Sequence, residues 1–314
     1  MALSDITFFF FRVMPVGGIA LLFFSNFGRV RKVQKLKKIL IALGLLTFMI
    51  GGYFLTDEQV VVEDGLIVGL ECNYAPFNWT QLDDSNGAVK ISNAFGYCGG
   101  YDVEIAKQIA DDLGKELVIK KITDFDTLPL LVNNGTIDLI IAGMSPTERR
   151  REVIAFSEEY YYSDLVLVVK ADSSLAKAND LSDFRGSKVA AQLGTLHNEL
   201  IKQIPSVNHS TPLSDFPTLT VAVKTGAIEA MVAEKPVAMA IVASNPDLTY
   251  VEFEEGQGFN LVGDDQTSLM VTIGLHKEDE NLLAAVNKSL ETISSEARDQ
   301  LMEVAILNQP ASEE

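Results

Sequence analysis

Short apolar runs of strand length alternate with segments of helical periodicity over most of the chain after residue 60. The first series is a strand at Leu66–Glu71, a helix at Tyr101–Leu113, a strand at 116–122, a short helix at 127–132 and a strand at 137–144. A β-α-β-α-β order predicts a parallel sheet, and such sheets bind ligands in the crevice beyond the carboxyl ends of their strands.

A second series of the same kind begins with a strand at 164–170. It continues with strands at 188–192, 227–233, 248–253 and 268–275, helices at 196–204, at 218–226 and after Pro236, and closing helices over 280–307. A long strand joins the two series at 164–170, and the chain returns near 268–273. The sequence therefore predicts an α/β fold of two lobes with two hinge crossovers, which close on a ligand held between them.

The stretch Thr136–Arg151 changes abruptly from an apolar strand to polar chemistry. Ser145 followed by Pro146 and Glu148 is typical of a capping box, so a helix is expected to begin there and to direct backbone N–H groups into the crevice. Arg150, one turn into that helix, adds a guanidinium that can hold a carboxylate with two parallel hydrogen bonds. This pattern indicates a carboxylate receptor; the alternative is that the three arginines form a solvated face.

Other candidate ligand-binding side chains follow strand ends as well. Glu71 and Tyr74 follow the first strand, and Phe125 follows the second. In the second series, the small residues Gly194 and Thr195 precede a helix and favour another backbone anion site, and Glu234 follows a strand. Polar and aromatic residues that coincide at the carboxyl ends of the predicted strands indicate a ligand-binding site there.

Composition and charge restrict the partners of this 314-residue chain. Its net charge is −18, and 47% of its residues are hydrophobic, which excludes disorder. Residues 1–60 contain seven basic and three acidic residues, so the remainder carries 18 basic and 40 acidic residues, a net charge of −22. A body this acidic repels nucleic acid. The three histidines show no metal-ligand spacing, and no nucleophile–base pair is evident.

An N-terminal membrane anchor is predicted over residues 1–60. Ile39–Leu55 is apolar and uncharged, and six basic residues between Arg29 and Lys38 place that side in the cytoplasm. We interpret the segment as an uncleaved signal anchor because no small-residue cleavage site follows it. An earlier apolar stretch, Ile6–Phe24, is either a second span or lies upstream of the true translation start.

The chain contains two cysteines, Cys72 and Cys98. Outside the cytoplasm such a pair is more often bridged than free, and a bridge would stiffen the region after the first strand. Two buried, unpaired thiols are the alternative reading.

Several short motifs appear in one order along the chain. They are Glu71-x-x-Tyr-Ala-Pro-Phe, Gly100-Tyr-Asp-Val-Glu-Ile-Ala, Ile137-Asp through Gly143-Met-Ser-x-Thr-x-x-Arg150, Phe156-Ser ahead of Tyr160-Tyr, Gly194-Thr and Glu234-x-Pro. From about Gly65 to Leu307 the chain resembles the polar amino-acid branch of the solute-binding proteins of ABC importers. That family includes the glutamine-, histidine- and lysine/arginine/ornithine-binding proteins, with a two-lobe periplasmic-binding-protein-like fold.

The resemblance implies a role for each matching residue. Arg150 would bind the ligand α-carboxylate with help from Ser145 and Thr195, and Glu234 and the Gly143 carbonyl would take the α-ammonium. Tyr74 and Phe125 would flank the ligand side chain, and Glu71 would bind the polar or cationic group at its end. Gln192 stands at a position that varies among relatives. Glutamate replaces the family's usual aspartate at both acidic positions, which changes their reach.

The resemblance also implies a function without enzymatic activity or cofactor: delivery of an amino acid to a separate permease and its ATPase subunits, from the extracytoplasmic face of the membrane. Arginine or lysine is the first expectation, because a cation suits Glu71 between two aromatic faces, and glutamine is the second.

Lobe 1 is expected at 61–163 plus 270–314 and lobe 2 at 164–269. A sensory ligand-binding domain and an enzyme such as a dehydratase on the same fold are the alternatives.

Overall fold

A computed structural model of the protein describes residues 65–260 and 270–310. The strands are short, as the interrupted apolar runs predict. In chain order they are β1 Gly65–Leu70, β2 Asn73–Tyr74, β3 Asn78–Gln81, β4 Val89–Lys90, β5 Tyr97–Gly99, β6 Glu116–Lys121, β7 Leu139–Ile140, β8 Ala155–Tyr162, β9 Leu165–Lys170, β10 Lys188–Ala190, β11 Asn208–His209, β12 Ala230–Glu234, β13 Leu248–Val251 and β14 Met270–Leu275.

The α-helices alternate with these strands. They are α1 Tyr101–Leu113, α2 Leu128–Asn133, α3 Glu148–Arg151, α4 Leu196–Leu200, α5 Phe216–Thr225, α6 Lys235–Ser244, α7 Glu280–Glu291 and α8 Ser295–Asn308. Helix α1 ends at Leu113, as the sequence predicts, and the left-handed backbone of Gly114 (φ 64°) closes its last turn.

The first sheet has the strand order β6-β1-β7-β14-β8 and forms the centre of lobe 1. Strands β6, β1 and β7 are parallel, as their β-α-β-α-β connections require, whereas β14 pairs antiparallel with both β7 and β8. This lobe therefore combines strands that precede residue 163 with a strand from the end of the chain.

The second sheet, β11-β10-β12-β9-β13, forms the centre of lobe 2 and is also mixed, because β9 is antiparallel to β12 and β13. Successive side chains of β9 alternate between two cores. Val166 and Val168 pack into the larger apolar cluster, and Leu167 and Val169 pack into a smaller one on the opposite face. Burial on both faces explains why this strand reads as a continuous apolar run.

A third, small antiparallel sheet of order β2-β3-β5-β4 follows β1, in a region whose polar sequence predicts only an irregular insertion. The Cys72–Cys98 disulfide, which confirms the predicted bridge, ties the end of β1 to β5 within this sheet. Strands of two to four residues are too short to carry a periodic signal, so the sequence does not reveal them.

The predicted capping box at Ser145 is wrong. Helix α3 begins at Glu148 with Thr147 as its N-cap, and no side chain caps it. The Thr147 N–H donates to the Ser145 carbonyl at 3.0 Å, which forms a turn ahead of the helix, and Pro146 has no N–H to contribute.

Within the two described ranges, no helix is long and apolar enough to cross a membrane. The predicted anchor at Ile39–Leu55 and the earlier stretch at Ile6–Phe24 lie outside those ranges.

Candidate functional site

The ends of strands from both lobes surround a cavity of about 20 Å³. It is lined by eight residues that the sequence singles out, Tyr74, Phe125, Gly143, Ser145, Arg150, Gln192, Thr195 and Glu234. Leu196 and His197 also line it. The volume suits a single water molecule, so the entry of anything larger requires the walls of the cavity to move.

Arg150 lies in the one turn of α3 and is buried. Its Nη1 donates to the Ser145 carbonyl at 2.7 Å, its Nη2 donates to the Gly194 carbonyl of lobe 2 at 3.1 Å, and its guanidinium carbon lies 5.0 Å from the centre of the Phe125 ring. Burial, together with the charge of Arg149, lowers the pKa of Arg150 to about 10, so the group remains a cation at neutral pH. Among the described residues, no acidic side chain forms an ion pair with it.

Glu234 is the last residue of β12 and is also buried. The Tyr74 hydroxyl donates to its Oε2, and His197 Nε2 lies 3.2 Å from its Oε1. Burial pushes the pKa of Glu234 upward, but the charge of His197 and the hydrogen bonds from His197 and Tyr74 outweigh it and leave the pKa below its ordinary value. The carboxylate is therefore ionised, and it faces the same cavity as Arg150.

Glu71 follows β1 and is buried behind the cavity wall, since it is not among the lining residues. Gln192, which lines the cavity from lobe 2, donates its Nε2–H to Glu71 Oε1 at 2.7 Å. Burial raises the pKa of Glu71 to about 8, although the Gln192 hydrogen bond acts in the opposite direction. Gln192 thus lines the cavity, whereas the largely protonated Glu71 does not.

Gly143 occupies a left-handed backbone conformation (φ 62°), and a Cβ at this position would lie 2.6 Å from the Tyr74 ring. Its N–H donates to the Tyr160 hydroxyl at 3.2 Å, and that hydroxyl donates to the buried Asp102 carboxylate at 2.7 Å. A second buried donor, Asn78, binds the same carboxylate at 2.8 Å. This network fixes the loop that carries Gly143 and Ser145.

Thr195 occupies the N-cap position of α4, but its side chain accepts no hydrogen bond from a backbone N–H of the helix. Its hydroxyl instead donates to the Gln192 carbonyl at 2.7 Å. The sequence interpretation missed His197 as a site residue because it tested the histidines only for metal-ligand spacing. The residue lies two positions after Thr195, at the predicted helix start, and this proximity was the signal that could have identified it.

The sequence matches the family described as bacterial extracellular solute-binding proteins, family 3, over residues 66–303. The chain belongs to this family. It is 35% identical over 202 residues to a probable histidine-binding protein of Campylobacter jejuni, a match that covers 63% of this chain and 72% of that protein. It is 29% identical over 231 residues to the arginine-binding extracellular protein ArtP of Bacillus subtilis, covering 72% and 79% of the two chains.

Solved structures of the family share the fold. The amino acid ABC transporter substrate-binding protein AbpA of Streptococcus pneumoniae, solved with L-arginine bound, superposes with a TM-score of 0.66 at 29% identity, over 80% of this chain and 98% of that chain. The same solute-binding region is 29% identical over 220 residues to the membrane-bound lytic murein transglycosylase F of Aeromonas hydrophila, but the match covers 41% of that protein.

Proposed function

We propose that this family member is the extracytoplasmic binding component of an ABC importer, which holds a polar L-amino acid between its lobes and delivers it to a permease with ATPase subunits. The observation that carries the proposal is that Arg150 of lobe 1 and Glu234 of lobe 2 line one cavity. A zwitterion needs a cation and an anion about one amino acid apart, and each charge-assisted bond contributes roughly 1.5–3 kcal/mol.

We assign the carboxylate of the ligand to Arg150, Ser145 and Thr195, and its ammonium to Glu234 and the Gly143 carbonyl. Tyr74 and Phe125 flank the ligand side chain, and Gln192 and Glu71 bind the group at its end. Lobe 1 comprises 61–163 and 270–314 in this proposal and lobe 2 comprises 164–269, which agrees with the strand membership of the two sheets.

Arginine or lysine is the first candidate ligand, supported by the arginine ligands of AbpA and ArtP. Glutamine is the second, and the raised pKa of Glu71 favours it, because a protonated carboxyl both donates to and accepts from an amide.

Isothermal titration of the full chain with the common L-amino acids tests the proposal. Micromolar or tighter binding of at least one is expected, which corresponds to about −8 kcal/mol. Absence of heat with all of them contradicts the proposed function, and heat with glutamine but not with arginine or lysine contradicts the cationic assignment.

We further propose that residues 1–60 hold the binding unit at the outer face of the membrane. The uncharged Ile39–Leu55 run and the basic residues before it support this. If alkaline carbonate releases the full chain from membranes, the anchor assignment is wrong.

A further inference from the structure

Asp102 lies in the first turn of α1, and its side chain is completely buried. Its Oδ1 accepts from the Tyr160 hydroxyl at 2.7 Å, and its Oδ2 accepts from Asn78 Nδ2 at 2.8 Å. The backbone N–H of Gly143 donates to the Tyr160 hydroxyl at 3.2 Å and also stabilises the charged form of the Asp102 carboxylate. Because Gly143 lines the cavity between the lobes, a single residue separates Asp102 from that space.

The charge of Asp102 has no opposite charge beside it. Among the described residues, no basic side chain forms an ion pair with this carboxylate. Its titratable neighbours in the described chain are acids, namely Glu71, Tyr74, Tyr101, Tyr160 and Glu234. Hydrogen bonds satisfy the oxygen atoms, but a buried charge without a counter-charge remains costly.

The protonation state of Asp102 follows from the same surroundings. Burial raises its pKa to about 6, and the charge of Glu234 acts in the same direction. The hydrogen bonds from Tyr160 and Asn78 oppose this rise. The carboxyl is therefore ionised at neutral pH and protonated in mild acid.

Glu234, the other buried carboxylate near Gly143, already has partners within the protein. His197 Nε2 lies 3.2 Å from its Oε1, and the Tyr74 hydroxyl donates to its Oε2. The charge of His197 lowers the pKa of Glu234, so part of the negative charge of Glu234 is compensated inside lobe 2. Asp102 carries the charge that is not compensated. Coulomb interactions are strong where water is excluded, so this carboxylate attracts a cation that touches Gly143.

We propose that Asp102 is a positioning residue of the ammonium site, which holds the Gly143 loop and adds a second negative charge for the α-ammonium of an amino acid, so that the protein releases its ligand as the pH falls. The assignment rests on the proposed function, in which the Gly143 carbonyl binds the ammonium. Coupling of this kind is reciprocal. A ligand that binds more tightly to the ionised form must also lower the pKa of Asp102.

The expected pH dependence has a definite sign. Above about pH 6 Asp102 is ionised in the free protein, and each pH unit below that value leaves about tenfold less of it ionised. The wild type is therefore expected to bind about tenfold more weakly at pH 5 than at pH 7.5. L-Arginine and L-glutamine are suitable probes, because neither of them titrates over this range.

Two substitutions separate the charge of Asp102 from its hydrogen bonds. Asp102→Asn removes the charge and keeps an oxygen to accept from Tyr160. Asn78 can turn its amide to accept from the new amide group, because its Oδ1 has no partner in the described protein. The exchange Asn78→Asp with Asp102→Asn returns one carboxylate to the same pair. Asp111→Asn, at an exposed position of α1, is the control.

The experiment is isothermal titration of the full chain with L-arginine and L-glutamine at a series of pH values from 5 to 7.5. Asp102→Asn is expected to bind about tenfold more weakly than the wild type at pH 7.5 and to lose most of the pH dependence. The exchange is expected to recover both, and Asp111→Asn is expected to match the wild type. Glu71, His197 and Glu234 are retained in every protein, so that only their coupling to Asp102 remains in the comparison.

A pH dependence that Asp102→Asn retains in full overturns the role of Asp102 but leaves the proposed function intact. A loss of affinity that the exchange does not recover shows a structural role alone and also overturns it. Absence of binding of every common L-amino acid by the wild type at pH 7.5 overturns the proposed function as well.

Carbon-13 NMR of the aspartate carboxyls in the wild type decides the matter if the variants fail to fold. A carboxyl that ionises near pH 6 in the free protein is expected to ionise at a lower pH once ligand is added. An ionisation that ligand does not move contradicts the proposal.

Discussion

The Tyr74 hydroxyl donates a hydrogen bond to Glu234, and so joins the small sheet that follows β1 to the last residue of β12. The Tyr74 ring also stacks on Phe77 with 5.2 Å between centres and contacts Phe216 of α5 at 4.8 Å. One side chain thus connects the two lobes through both a polar and an apolar contact.

Tyr74→Phe removes the hydroxyl and keeps the ring. We expect a loss of about 1–3 kcal/mol in the free energy of unfolding, because the hydrogen bond goes to a buried, charged acceptor. Urea denaturation measures the change. Tyr162→Phe, at an exposed tyrosine, is the control and should alter stability by less than about 0.5 kcal/mol. Equal effects of the two substitutions would show that the Tyr74–Glu234 bond contributes nothing.

Arg150→Ala should weaken amino-acid binding at least a hundredfold, because under the proposed function the ligand carboxylate loses two parallel hydrogen bonds and the counter-charge. Arg150→Lys keeps the charge without the planar fork, so an intermediate loss is expected. Arg149→Ala is the matched control, since Arg149 is the exposed neighbour. Isothermal titration compares the three variants, and wild-type affinity in Arg150→Ala would refute the carboxylate assignment.

Glu71 should make the protein less stable as the pH rises. Its carboxyl ionises near pH 4.5 in the unfolded chain but near pH 8 in the folded protein. Between these values the unfolded state binds fewer protons, so the free energy of unfolding falls with increasing pH. The stability contribution is complete below pH 4.5 and is lost by about pH 8.

Glu71→Gln removes this titration and keeps an oxygen to accept from Gln192. Relative to the variant, the wild type is expected to lose up to a few kcal/mol over that window, measured by urea unfolding at a series of pH values. Asp102, whose burial raises its pKa to about 6, titrates in both proteins, so that only its coupling to Glu71 remains in the difference. Parallel stability profiles of the two proteins would contradict the raised pKa of Glu71.

Replacing both Cys72 and Cys98 by alanine should lower the free energy of unfolding by about 3–4 kcal/mol, the value for a bridge between cysteines 26 residues apart. Urea denaturation with and without a reductant checks this. The reductant should destabilise the wild type and leave the double variant unchanged, and a wild type that does not respond would contradict a stabilising bridge.

The sequence predicted the parts of the fold that depend on local periodicity. Helix α1 has its predicted bounds, and β9 was evident as an apolar run because both of its faces are buried. The start of α3 was placed too early, since the turn at Ser145 depends on backbone hydrogen bonding that residue types do not encode.

Residues that line the cavity were predictable where a family motif contains them, as for Arg150 and Glu234. His197 was missed because its importance comes from proximity to Glu234, which is 37 positions away in the sequence and reaches it only after lobe 2 has folded. The same holds for the pKa of Glu71, because it results from burial behind Gln192 rather than from neighbours along the chain.

The placement of β14 between β7 and β8 has a consequence for biosynthesis. On the ribosome, the strands of the second sheet, residues 165–251, have all been synthesised before β14 is made, whereas β7 and β8 must wait for residues 270–275 to fill the gap between them. The lobe whose synthesis starts first is therefore the one whose sheet is completed last.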